Sequence, residues 1–191
     1  MRLLRAADRQ ARPWKNGGGV TREVAAWPPG AGFDDFAWRV SMAEVTADGP
    51  FSTFPDVDRI LAVLQGRLWL AVEGRPELTL SRETAPAVFP GDAAAYATLE
   101  VGPVLDLNLM SRRGTMRAGL ARLDVLSPQD VDPLGASVLV IAAGAPLRVV
   151  SPTGACDLEG FDAVLFADAS ASLLVEAATP ALAYLACFET V

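Results

Sequence analysis

The chain of 191 residues contains no histidine. That excludes the Ser/His/Asp and Cys/His nucleophile systems as usually built. It also excludes histidine-ligated zinc, iron, copper and nickel sites. Cysteine is almost as scarce. Cys156 and Cys187 show neither a CxxC pair nor metal-ligand spacing, so they read as two reduced core thiols. Positive charge is in deficit, with 16 Lys and Arg against 23 Asp and Glu and a formal net charge of −7. A nucleic-acid surface needs a basic stripe, and an anionic membrane would repel this balance. No apolar run approaches the roughly 20 residues of a membrane span. The opening MRLLRAADRQARPW has no long apolar region and no cleavage motif, so the expectation is a cytoplasmic protein without a signal peptide. No segment holds a helical apolar period for three turns. Catalysis, if any, is left to carboxylates, lysine, arginine or tyrosine. An all-oxygen Mg²⁺ or Ca²⁺ site stays open, although the sequence has no EF-hand-like acidic run.

What the chain does have is apolar content, 51% hydrophobic against 20% charged, enough for a sizeable core. It is arranged in many short segments punctuated by glycine and proline. Phe36 to Val45 alternates at period 2. Ile60 to Gly66 and Arg67 to Gly74 meet at a glycine that marks a hairpin or bend. Glu77 to Ser81, Ala93 to Leu99 and Val104 to Met110 follow. Residues 111–135 read as a connection with some strand content from Leu120 to Val125. Strands then resume at Ser137 to Ala142, Pro146 to Val150, Ala163 to Phe166, Ser172 to Ala177 and Ala181 to Phe188. This pattern is that of an all-β sandwich or barrel.

The two halves echo each other. LAVLQGRLWLAVEG from Leu61 resembles VLVIAAGAPLRVVSPTG from Val138, and each half carries a Gly-Asp type turn (Gly91-Asp92; Gly160 with Asp162). Such repeats fix architecture. The polar inventory is unequal, because the second half is poor in basic residues beyond Arg148. A working site is therefore expected in the first half.

The densest polar chemistry is PWKNGGGVTRE, Pro13 to Glu23. It reads as a loop in which Lys15, Asn16, Gly17, Thr21 and Arg22, the last paired with Glu23, lay backbone and side-chain donors against an anionic or carbonyl-bearing small molecule. Arg59 precedes an apolar strand, and its planar fork suits a carboxylate. Asp58 and Asp106 are placed to orient it. In LDLNLM, Asp106 and Asn108 share one strand face while Leu105, Leu107 and Leu109 take the other. Arg39 and Ser41 share a face and extend the same patch, and Arg112 joins it more weakly. Trp14, Trp38 and Trp69 read as core.

These strings carry a resemblance. The order strand, glycine, strand, Gly-Asp turn, strand is similar to a cupin barrel, present twice. Metal-binding cupins carry a glutamate near the place of Arg59 and histidines near Thr53, Pro55 and Gly102 or Pro103; here a cation stands where a carboxylate would. More closely, PWKNGGGVTRE, FAWRVSMAEV, DGPFSTFPDVDRILAVLQG, FPGD and GPVLDLNLMSRRG resemble the HutD/Ves family. The resemblance implies a bicupin, all-β, with an N-terminal barrel at 1–114 bearing the ligand site and a degenerate C-terminal barrel at 115–191. The first strands are allowed to cross to the other barrel. The residues themselves lead to the expectation of no cofactor and no metal. The small anionic partner would be an intermediate of histidine utilisation, such as urocanate or N-formylglutamate, bound by a non-catalytic regulator. A metal-independent isomerase, lyase or hydrolase acting on a small carboxylate, and an interaction module with vestigial pockets, stay open as alternatives. A homodimer through edge strands stays open as well.

Overall fold

The computed structural model describes residues 1–14, 17–133, 135–167 and 171–191. Lys15 and Asn16 lie outside the described residues. The described chain forms two compact units. One comprises Gln10–Thr115; the other comprises Met1–Arg9 with Met116–Val191. No described helix is long and apolar enough to cross a membrane.

The chain starts with β1 (Arg2–Leu4), which pairs antiparallel with a strand of the second unit. The first unit then runs β2 (Ala11–Pro13), β3 (Gly19–Trp27), β4 (Trp38–Val45), β5 (Gly49–Pro50), β6 (Val57–Gln65), β7 (Arg67–Val72), β8 (Leu78–Ser81), β9 (Ala87–Pro90), β10 (Ala95–Leu99) and β11 (Val104–Arg112). They form two sheets, ordered β2-β3-β4-β11-β6-β9 and β5-β10-β7-β8. β7 shows why it is half-buried: Leu68, Leu70 and Val72 are buried while Arg67, Trp69 and Ala71 are exposed, the period of a strand. The inward residues of β6, β7, β8, β9, β10 and β11 meet in one cluster that includes Leu61, Val63, Leu70, Leu80 and Phe89.

Gly66 turns the chain from one sheet to the other, so β6 and β7 make a corner and not a paired hairpin. Its φ is +81°, and a Cβ there would stand 2.8 Å from the Pro103 carbonyl oxygen. Only glycine meets both conditions without strain.

The second unit adds β12 (Met116–Val125), β13 (Gln129–Val131), β14 (Ser137–Ala142), β15 (Leu147–Ser151), β16 (Gly154–Leu158), β17 (Ala163–Ala167), β18 (Leu173–Glu176) and β19 (Ala181–Thr190). Its sheets are ordered β1-β17-β14-β19-β12 and β13-β18-β15-β16. Shifting strand numbers by eight turns β4-β11-β6-β9 into β12-β19-β14-β17, and β5-β10-β7-β8 into β13-β18-β15-β16. The repeat seen in the sequence is thus a repeat of topology.

Three expectations are corrected. The stretch read as a loose connection contains β12, ten residues paired with β19 along its whole length. Its buried residues are too few for the apolar pattern to show, since backbone pairing carries it. Trp69 is exposed, because its register places it on the outer face of β7. The glycine-rich run stops being a loop at Gly19: Thr21, Arg22 and Glu23 lie inside β3, paired with β4.

Candidate functional site

A cavity of about 510 Å³ opens in the Gln10–Thr115 unit, lined by residues of β2, β3, β4, β5, β6 and β11 and of the segments after β2, β3 and β5. This is within the volume range of small-molecule sites. Strand register builds its polar floor. One row across β3, β4, β11 and β6 is Glu23–Ser41–Asn108–Leu61; a second is Thr21–Ala43–Asp106–Val63. Beyond them, Met110 sits between Arg39 of β4 and Arg59 of β6. Thr21, Arg39, Ser41, Arg59, Asp106 and Asn108 all line the cavity.

Arg39 is 4% exposed. Its Nε donates to Glu23 Oε2 at 2.9 Å and its Nη1 to Ser41 Oγ at 3.3 Å. Its Nη2 is buried and has no hydrogen-bond partner. The Phe33 ring lies 4.9 Å from the guanidinium carbon and stacks on Phe54. Arg59, also 4% exposed, donates from Nε to Asn108 Oδ1 and from Nη1 to the Ser52 carbonyl oxygen, each at 3.3 Å. Three rings surround it: Phe51 at 4.9 Å, Phe89 at 5.1 Å and Phe54 at 5.8 Å. Cations over aromatic faces are stabilised by the ring quadrupole. The rings also remove water. Burial pushes Arg59 down to about 10; nearby Asp106 pulls it back up, and Arg39 pushes it down again. At neutral pH it stays charged.

Asp106 is 1% exposed, and its Oδ1 has no hydrogen-bond partner. Burial raises its carboxyl to about 7, opposed by the Arg59 charge and by a hydrogen bond from the Ala43 backbone. The cavity therefore holds two buried guanidinium groups, one of them already neutralised by Glu23. It also holds a carboxyl on the edge of protonation. An orphaned buried polar atom costs about 1–3 kcal/mol, and two of them face this one cavity.

The remaining candidates fall elsewhere. Asp58 does not orient Arg59; adjacent strand residues point to opposite faces. Its carboxylate instead pairs with Arg113 at 2.9 Å, and Arg113 also reaches Asp92 at 3.1 Å in the Gly91-Asp92 turn. Arg112 donates to the carbonyls of Pro55 and Asp34 and stacks on Phe36, so it ties loops together. Arg22 alternates away from Thr21 and Glu23 and is not among the lining residues. Gly17, at φ +73°, donates its backbone N–H to the Trp14 carbonyl oxygen at 3.1 Å. Glu23 reaches the site only through Arg39. Trp14, read as core, lines the cavity and donates from Nε1 to Thr21 Oγ1 at 2.7 Å. Sequence reasoning missed Arg12, Phe33, Phe51, Ser52 and Phe54 as lining residues. The only signal was the run PFSTF, whose two phenylalanines flank small polar residues.

Two units of one strand order, the first carrying a polar cavity among its strands, define a bicupin. The chain belongs to the HutD family, whose sequence model matches residues 6–183. It is 38% identical over 150 residues to a 21.2 kDa protein in the hutC 3′ region of Pseudomonas putida, covering 78% of this chain and 77% of that one. Protein Ves of Citrobacter koseri is 39% identical over 107 residues, about half of each chain (55% and 54%). The structure of HutD from Pseudomonas fluorescens SBW25, in a formate condition, superposes with a TM-score of 0.85 at 28% identity, covering 100% of this chain and 98% of that one.

Proposed function

We propose that the cavity binds a small carboxylate, and that the protein is a non-catalytic regulator of histidine utilisation sensing an intermediate such as urocanate or N-formylglutamate. The observation that carries this reading is the Nη2 of Arg39, buried and partnerless in a cavity that also holds Arg59. Arg39 and Arg59 are close enough that the charge of one disfavours the charge of the other, and a bound carboxylate would relieve that repulsion. The pathway assignment rests on family membership, and on a relative whose printed name places it beside hutC. The formate condition of the Pseudomonas fluorescens structure involves the smallest carboxylate.

A second reading has one observation in its favour. A carboxyl raised to about 7 inside a cavity is poised for proton transfer, as a metal-independent enzyme acting on a carboxylate would need. Calorimetric titration with urocanate, N-formylglutamate, formate and glutamate, with Arg59→Ala in parallel, tests the binder. Saturable binding lost in the variant supports it, and no heat from any of the four sinks it. Chemical change in the bound ligand, followed by NMR over hours, would transfer the function to the enzyme.

A further inference from the structure

We propose that Asp106 reads the second end of the ligand as a hydrogen-bond donor, selecting carboxylates that carry a neutral acceptor, such as a carbonyl, over those ending in a cation or in hydrocarbon. The inference rests on the carboxylate-binding reading above and adds what the rest of the ligand must be.

The geometry comes from strand register. The Arg59 guanidinium bonds Asn108, and the Arg39 guanidinium bonds Ser41, so both heads reach the Asn108–Ser41 row. Asp106 stands one row further along β11, two residues or about 7 Å away. A carboxylate held at the first row thus presents its other end to Asp106 across a short spacer. Among the described residues, the charged groups around Asp106 are Arg59 from β6, Arg39 from β4 with its partner Glu23 from β3, and Arg12 from β2 at the cavity wall. Glu23 neutralises Arg39, so Arg59 is the nearest uncompensated cation. A bound carboxylate takes up that charge. It leaves Asp106 buried beside a new anion, which favours the neutral acid. A neutral carboxylic acid has one O–H to give, and its orphaned Oδ1 is where a partner is missing. The acid form then persists in the complex, and binding takes up a proton above neutral pH. The sign follows: above the pH at which the ligand's own carboxylate forms, affinity is highest below about 7 and falls as pH rises.

Three matched probes test this by calorimetry: 4-oxopentanoate, 4-methylpentanoate and 4-aminopentanoate. The expected order places 4-oxopentanoate at least tenfold tighter than the other two. Its affinity should fall up to tenfold per pH unit above about 7, where free Asp106 loses its proton. In Asp106→Asn, whose amide keeps a donor without a proton to lose, affinity should be flat with pH. Measuring wild-type heats in buffers of different ionisation enthalpy reads the proton uptake independently of the variant. Equal affinity for the oxo and methyl probes, with both lost in Arg59→Ala, leaves the carboxylate site standing and overturns the role of Asp106. Strongest binding of the amino probe overturns it too. Failure of all three to bind removes the carboxylate reading itself, and the inference with it.

Discussion

Replacing Asp106 by Asn changes one oxygen for one nitrogen and should change how stability depends on pH. The folded carboxyl lies at about 7 against 3.8 for the ordinary group, because burial disfavours its charge. Between those values the folded state holds a proton that the unfolded chain releases. The contribution is fully present below about 4 and is lost as pH rises through 7. About three pH units at 1.36 kcal/mol each give roughly 4 kcal/mol in all, and about 2 kcal/mol between pH 5.5 and pH 8.5. The amide of Asp106→Asn has nothing to titrate. Two other carboxyls tilt stability the other way. Asp92 is held low by Arg113; at Asp162 burial pushes up, and backbone amides with Arg5 outweigh it. They do so equally in both proteins and cancel in the difference. The assay is urea denaturation of both proteins at the two pH values. The wild type should lose about 2 kcal/mol relative to the variant on going to pH 8.5. A difference unchanged within about 0.5 kcal/mol would refute a buried, proton-holding Asp106 and the environment inferred from it.

Phe33 is half exposed and covers Arg39. Phe33→Ala should speed ligand release several-fold in a displacement experiment while costing about 2 kcal/mol of stability, the scale of a cation–π contact to a desolvated guanidinium. Gly66→Ala places a Cβ against the Pro103 carbonyl at positive φ. It should destabilise the protein by about 2 kcal/mol or more in thermal melts, and an unchanged melting temperature would contradict the sharp corner at that residue.

Much of the fold was legible because strand period and glycine punctuation are local signals. The alternation in Phe36 to Val45 and the Asp106/Asn108 face both follow from the two-residue repeat of a strand. β12 was only partly legible, because pairing with β19 and not its own apolar pattern holds it. The site divides the same way. Arg39, Ser41, Arg59, Asp106 and Asn108 lie on strands whose faces can be read from period alone. Asp58 misled because adjacency in sequence means opposition in space along a strand. Arg12, Phe33 and Phe51 come to the cavity from different strands and loops, through pairings that no local pattern announces. Nor does the sequence say that three phenylalanines close around Arg59, although PFSTF marks the segment supplying two of them.

The central claim is that a carboxylate sits between Arg39 and Arg59. The most direct measurement follows the guanidinium Nε–H resonances of ¹⁵N-labelled protein during titration with N-formylglutamate and urocanate. The account predicts that the resonances of Arg39 and Arg59, assigned through Arg39→Lys and Arg59→Lys, shift together and saturate with at least one ligand while that of Arg148 does not move. Shifts confined to exposed arginines, or growing without saturation, would contradict it.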